Sequence, residues 1–160
     1  MKTSLDFSLT NLKAVVTAGA QGIGRAITEA LVQQGAQVHV CDIIQSSLDD
    51  VKKALPGVTT SLTDVSDEAQ VKAMFDELTK RWGKLDILVN NAGIAGPTAP
   101  VEDTSLEGWS QTIDVNLTGP FLCTRSAVPL LKKNGSGSIV NISSAAGRHG
   151  FPLRTPYSAS

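Results

Sequence analysis

Short apolar runs alternate along this chain with segments whose apolar positions recur every three to four residues, the periods of strand and helix. The first run, Lys13 to Thr17, predicts a strand. Ile23, Ala26, Ile27, Ala30 and Leu31 then predict a helix from about Gly22 to Gln34. A second strand, Ala36 to Cys41, ends in Asp42, and a helix near Ser47 to Leu55 stops at the breaker pair Pro56-Gly57. A third strand covers Val58 to Leu62. Asp67 is placed to cap the next helix and Gln70 to complete a capping box, ahead of an apolar stripe of Val71, Met74, Phe75, Leu78 and Trp82. Gly83 ends that helix. The fourth strand is Leu85 to Val89, and a loop rich in Gly, Pro and Ala runs to Pro100. Thr104 and Glu107 read as a capping box for one long helix to about Lys133, and Asn134-Gly135-Ser136-Gly137 sets off a fifth strand, Ser138 to Ile142.

Strands separated by helices imply crossover connections and a parallel sheet, and the near-continuous apolar runs imply cover on both faces. The expected fold is α/β: a Rossmann-type doubly wound parallel sheet in three α/β/α layers, with its ligand at the carboxyl ends of the strands. The 160 residues suit a single domain over 1–160. At 41% hydrophobic and 18% charged residues, the chain has the composition of a packed core rather than of disorder.

A net charge of −1, with Lys and Arg scattered, gives no footprint for nucleic acid or an anionic membrane. No apolar run approaches a membrane span and no secretory segment lies near Met1, so a cytoplasmic protein is expected. Cys41 and Cys123 lie in apolar surroundings without CxxC spacing and read as buried, reduced thiols. Two isolated histidines and no ligand-spaced cysteines give no expectation of a metal. His39 reads as a strand residue with a satisfied ring, His149 as a loop residue.

The chemistry begins at Lys13-Ala14-Val15-Val16-Thr17-Ala18-Gly19-Ala20-Gln21-Gly22-Ile23-Gly24-Arg25. A strand, a glycine-rich turn and a helix in immediate succession put free N–H groups and a positive helix end where a phosphate could sit. Asp42 ends the second strand eighteen residues past Gly24, the distance at which a carboxylate suits a ribose hydroxyl pair. Together these features indicate a dinucleotide; the plain alternatives are an ordinary tight turn and a strand-end Asp. Cofactor contacts are expected from Thr17, Gly19, Gln21, Gly22, Ile23, Gly24, Asp42 and Ile43. Asp42 would repel a 2′-phosphate, which favours NAD over NADP; Arg25, on the helix beyond the loop, is the nearest cation. Ser144, at another predicted carboxyl end, lies thirteen positions before Tyr157. A hydroxyl pair beside a nicotinamide suits carbonyl–alcohol chemistry, one orienting the oxygen and the phenol exchanging the proton.

Asn90-Asn91-Ala92-Gly93, Asn141-Ile142-Ser143-Ser144 and Tyr157-Ser158-Ala159-Ser160 occur in an order and spacing that resembles the short-chain dehydrogenases/reductases over essentially the whole chain. The resemblance implies that Ser144 steadies a substrate carbonyl, Tyr157 is the acid/base, and Asn116 anchors a proton-relay water. It also implies that Gly19, Gly22 and Gly24 flank the pyrophosphate, Asp64 and Val65 bracket the adenine, and Asn90, Ala92 and Gly93 line the nicotinamide side. Asp64 has a second reading, as local turn chemistry ahead of the helix capped by Asp67. The implied substrate is a small alcohol or ketone, and the intact parent is implied to be a homo-tetramer or dimer.

Two departures from the family pattern stand out. Thr17 is followed by Ala18, with glycine displaced to Gly19, which is expected to reshape the turn and change cofactor affinity modestly. The family's catalytic lysine lies four residues after the tyrosine, and Ser160 is the third. The chain therefore reads as roughly the first two-thirds of such an enzyme, incomplete at the C-terminus. The 160-residue polypeptide is expected to be inactive alone, with its fifth strand an open edge. The competing reading is a non-catalytic dinucleotide-binding or interaction module.

Overall fold

A five-stranded, wholly parallel sheet, its strands in the order Thr59–Leu62, Gln37–Asp42, Lys13–Thr17, Ile87–Asn90 and Ser138–Asn141, organises the computed structural model, which describes residues 8–160. The first seven residues of the domain expected over 1–160 lie outside the described residues. In chain order the elements are β1 (Lys13–Thr17), α1 (Gly22–Gln33), β2 (Gln37–Asp42), α2 (Gln45–Ala54), β3 (Thr59–Leu62), α3 (Glu68–Trp82) and β4 (Ile87–Asn90). After a 3-10 turn at Val101–Asp103 come α4 (Leu106–Ile113), a π-helical segment Asp114–Thr118, α5 (Gly119–Lys133), β5 (Ser138–Asn141), α6 (Ala146–His149) and α7 (Thr155–Ala159). This is the expected Rossmann-type arrangement.

Strand parity divides the core. Side chains alternate faces along a strand, so Val15, Cys41 and Leu88 pack with Val71, Phe75 and Leu78 of α3 and Leu122, Cys123 and Ala127 of α5. Ala14, Val16, Val38 and Val40 pack on the other face with Ile27 and Leu31 of α1 and Leu48 and Val51 of α2. Both thiols are buried and free, and burial pushes Cys123 up to about 12 and Cys41 also upward. β5 is the outer strand next to β4, and Ile139 and Val140 on it are exposed.

Three local expectations change. Ser105 rather than Thr104 caps α4, its Oγ accepting from Gly108 N at 3.1 Å, while the Thr104 hydroxyl donates to Pro100 O. The long helix to Lys133 is interrupted by the π-helical turn. At α3, Asp67 Oδ1 accepts from the Ala69 and Gln70 amides, but Gln70 Oε1 accepts from Asp64 N instead of Asp67 N.

Candidate active site

The carboxyl ends of β1 and β4 are tied together before any ligand is considered. Thr17 is 1% exposed, and its hydroxyl is fully used: it donates to Val89 O and accepts from the Asn91 and Ala92 amides at 2.9 and 3.0 Å. Asn91 Nδ2 returns the contact, donating to Thr17 O and Ala18 O at 3.1 Å each. The glycine-rich turn and the segment after β4 therefore move as one piece.

Ala18 stands where the family pattern has glycine, and the backbone there is left-handed, at φ +47°. Gly19 is instead required by packing, since a Cβ there would lie 3.0 Å from Thr28 Oγ1, Val16 O and Val40 Cγ1. At Gly24 a Cβ would fall against the Ala18 carbonyl and 2.5 Å from Asn91 Nδ2, so glycine is what lets α1 approach the turn. Gln21 precedes α1 without a side-chain cap, and no acid stands in the first turn. The first amides of α1 thus remain open to an anion. The Gln21 side chain turns away to donate from Nε2 to Ser47 Oγ on α2.

Asp42 is 8% exposed at the end of β2. Its Oδ1 accepts from the Ile43 and Ile44 amides at 2.8 and 3.2 Å, a turn role that leaves Oδ2 as the remaining acceptor. Ile43 is exposed beside it. Arg25 is engaged by Glu29, Nε to Oε1 at 2.6 Å. Asp64 shows the local turn chemistry of its second reading: Oδ1 accepts from Ser66 N at 2.9 Å and Ser66 Oγ at 2.7 Å.

Beyond β4 and β5 opens a cleft of about 910 Å³, lined among others by Ile23, Ala92, Gly93, Asn116, Ser144 and Tyr157. The three residues expected to carry chemistry share it. Ser144 Oγ accepts from Ala146 N at 3.2 Å, which leaves the hydroxyl proton for a ligand. Asn116 lies in the π-helical turn, its Oδ1 accepting from Ile94 N at 2.8 Å and its Nδ2 donating to Ile94 O and Ser160 Oγ at 2.9 Å each. The Ser160 hydroxyl in turn donates to Tyr157 O at 3.2 Å.

Not every expected contact reaches that cleft. Asn90 is 3% exposed, and its Nδ2 donates to Thr124 Oγ1 of α5 and Asn141 Oδ1 of β5, so its side chain faces the interior between those elements. Its Oδ1 is buried without a partner. Val65 is buried in the core, where its side chain would meet a Cβ on Gly119. Thr17, Gly19, Gln21, Gly22, Gly24, Asp42, Ile43 and Asp64 lie outside the cleft lining, at the last residues of β1 and β2, in the turns after β1, β2 and β3, and in the first turn of α1. Conversely, Asn91, Ile94, Ile142 and Arg148 line the cleft; Asn91 and Ile142 had a signal as members of the Asn90-Asn91-Ala92-Gly93 and Asn141-Ile142-Ser143-Ser144 runs, and Ile94 had none.

His39 has the satisfied ring expected of it: Nδ1 meets Thr59 Oγ1 at 2.8 Å and Nε2 meets Ser61 Oγ at 3.0 Å. Among the described residues no group of three or more His, Cys, Asp or Glu gathers closely enough to hold a metal ion. No helix among them is long and apolar enough to cross a membrane.

The parallel sheet and its flanking helices define a Rossmann-type α/β protein, and comparison with known proteins agrees with that fold. The family model described as short chain dehydrogenase matches residues 12–160, and the chain belongs to that family. It is 40% identical over 145 residues to the L-fucose dehydrogenase of Bos taurus, covering 91% of this chain and 53% of that protein. It is 37% identical over 147 residues to the 2-dehydro-3-deoxy-L-rhamnonate dehydrogenase (NAD(+)) of Sphingomonas sp. (strain SKA58), covering 92% and 59%. The crystal structure of levodione reductase superposes with a TM-score of 0.89 at 33% identity, over 94% of this chain and 60% of that one. The chain thus spans a little over half the length of the relatives it matches.

Proposed function

We propose that this chain carries the dinucleotide cradle and the proton-transfer hydroxyls of an NAD(H)-dependent oxidoreductase that interconverts a secondary alcohol and a ketone. The observation that carries the reading is the convergence of Ser144, Tyr157 and Asn116 on the cleft that Ala92 and Gly93 also line. The residues present fit the cofactor. Gly24 allows close approach at the uncapped start of α1, and Asp42 keeps one carboxylate oxygen free beyond β2. When bound, a nicotinamide dinucleotide supplies or accepts the hydride.

The chain's own residues do the rest. Thr17 and Asn91 fix the turn and the nicotinamide-side segment as one rigid wall. The Ser144 hydroxyl donates to the substrate oxygen. The Tyr157 phenol gives that oxygen its proton in reduction and removes it in oxidation. Asn116 holds the wall at Ile94 and reaches the tyrosine turn through Ser160. Preference for NAD rests on Asp42 and on the absence of a cation at Gln21 and Ile43, and the Sphingomonas relative carries NAD(+) in its name. The substrate is a small alcohol or ketone, and the active protein is a homo-oligomer in the cytoplasm.

The 160-residue polypeptide alone is expected to bind dinucleotide without turning over substrate. Titrating it with NADH and following the coenzyme's fluorescence tests the cradle; an unchanged signal removes the cofactor reading. Turnover of an alcohol and ketone panel by protein extended to the length of its relatives tests the chemistry. Activity that survives Tyr157→Phe there removes the mechanism.

A further inference from the structure

The segment that carries Tyr157 is fastened to the loop after β4 by a residue outside the cleft lining. Arg154 stands immediately before α7, and its carbonyl accepts from Ser158 N at 2.9 Å in that helix's only turn. Its guanidinium crosses to the loop: Nη1 donates to Ala95 O at 3.0 Å and to Gly96 O at 2.9 Å. The backbone joins in, with Ala99 N donating to Leu153 O at 3.0 Å and Ala99 pairing Arg154 in an isolated parallel bridge.

Both partners are built for this contact. Gly96 has φ +63°, and a Cβ there would collide with Thr112 Oγ1, so only glycine presents that carbonyl. Leu153 has φ +60°, a left-handed conformation that an exposed leucine keeps only where its surroundings hold it. One residue upstream in the loop, Ile94 is held by Asn116, which also reaches Ser160 at the far end of α7.

We propose that Arg154 is a positioning residue for Tyr157. Its two charge-assisted hydrogen bonds bolt the front of the tyrosine turn to residues 95–96, as Asn116 and Ser160 bolt its rear to residue 94. The proposal rests on the proton-transfer role given to Tyr157 above. α7 is five residues long and does not hold a geometry by itself; it packs on α4 and α6, and these two anchors are what tie it to the loop after β4. The planar guanidinium matters because the two N–H groups of one nitrogen, Nη1, are fixed in its plane and serve two successive carbonyls, which a lysine ammonium on a flexible stem does less rigidly.

Tyr157 is the only tyrosine of the chain, so its ring can be observed alone by NMR on ring-labelled tyrosine. Arg154→Met keeps most of the stem and removes every donor. The expected result is that the Tyr157 ring signals and the amides of residues 95–97 shift and broaden, while the Trp82 indole, packed against His39 elsewhere in the fold, stays as in the parent. Arg154→Lys is expected to recover part of both shifts. In extended, active protein, Arg154→Met should lower kcat on the order of tens of fold, with KM for the dinucleotide unchanged.

Unchanged Tyr157 and 95–97 signals in Arg154→Met would overturn the proposal. So would a Trp82 signal lost together with the others in both variants, since Arg154 would then support the fold as a whole. Activity that survives Tyr157→Phe removes the proton-transfer role but leaves the NMR-detected clamp standing, so the two failures are distinguishable.

Discussion

Asn116 holds both backbone polar groups of Ile94, accepting from its N–H at 2.8 Å and donating to its carbonyl at 2.9 Å. A side-chain amide paired this way substitutes for a neighbouring strand, and it fixes the start of the loop that Arg154 grips one residue later. Asn116 sits in a π-helical turn, a distortion that recurs where function requires a side chain to be re-aimed.

Asn116→Asp is therefore expected to cost more than a change of one atom suggests. The acceptor to Ile94 N survives, but the donor becomes a carboxylate oxygen that opposes the Ile94 carbonyl and draws the Ser160 hydroxyl proton away from Tyr157 O. Leaving such groups mispaired costs about 1–3 kcal/mol. Urea unfolding of the variant reads that loss. Asn116→Ala should fall in the same range, because it strands the Ile94 groups instead of opposing them.

The turn after β1 and the first turn of α1 carry opposite predictions, at Ala18 and Gly24. Ala18 at φ +47° bears a left-handed penalty of about 1–2 kcal/mol, and Ala18→Gly relieves it against an entropic cost of about 0.4–1 kcal/mol. A net gain between about 0 and 1.6 kcal/mol is expected, seen as a higher thermal midpoint. Gly24→Ala places its Cβ against the Ala18 carbonyl and Asn91 Nδ2, and is expected to destabilise by about 1–3 kcal/mol. It should also weaken NADH binding, read by fluorescence titration.

How far the fold and site were legible follows from these same residues. Strand and helix order was readable because each apolar run and stripe has its own period, from Val15 and Val16 in β1 to Val71, Phe75 and Leu78 in α3. Ser144 and Tyr157 were found by their spacing and Asn116 through the family resemblance, and all three line one cleft. Thr104 and Ser105 offer the same capping chemistry one residue apart, and only the draw of Pro100 O on the Thr104 hydroxyl separates them. Asn90 and Asn91 look alike in sequence, yet strand parity sends Asn90 toward α5 and Asn91 back to β1. The Arg154 contact left no mark because its acceptors are backbone carbonyls, which every residue has.

Asp42→Asn separates the two roles of that residue. The amide oxygen can still accept from Ile43 and Ile44, so the turn survives and stability should change by no more than about 0.5 kcal/mol. The negative charge is gone, so the ratio of NADPH to NADH dissociation constants should shrink by about tenfold or more, each tenfold being about 1.4 kcal/mol. Parallel titrations with both coenzymes measure it. A ratio equal to that of the parent protein would show that charge at Asp42 does not set the preference.

His39 makes the acid side of the stability profile predictable. Burial, with Arg81 nearby, lowers it from 6.5 to about 4, and both ring nitrogens are occupied by Thr59 and Ser61 hydroxyls while Trp82 packs edge-on at 6.4 Å. The unfolded chain, with an ordinary histidine, binds a proton that the folded chain refuses. Stability from this group is therefore complete above about pH 6.5, falls as pH drops toward 4, and levels off below. Over that window the loss is on the order of 3 kcal/mol, since each unit of difference is worth about 1.4 kcal/mol. Urea midpoints measured between pH 7.5 and about pH 4 should fall along that curve. His39→Gln, which keeps one donor and one acceptor without a titrating ring, should flatten the profile in this range while lowering the neutral-pH midpoint through lost packing on Trp82. An equally steep acid loss in His39→Gln would assign it to the carboxylates instead.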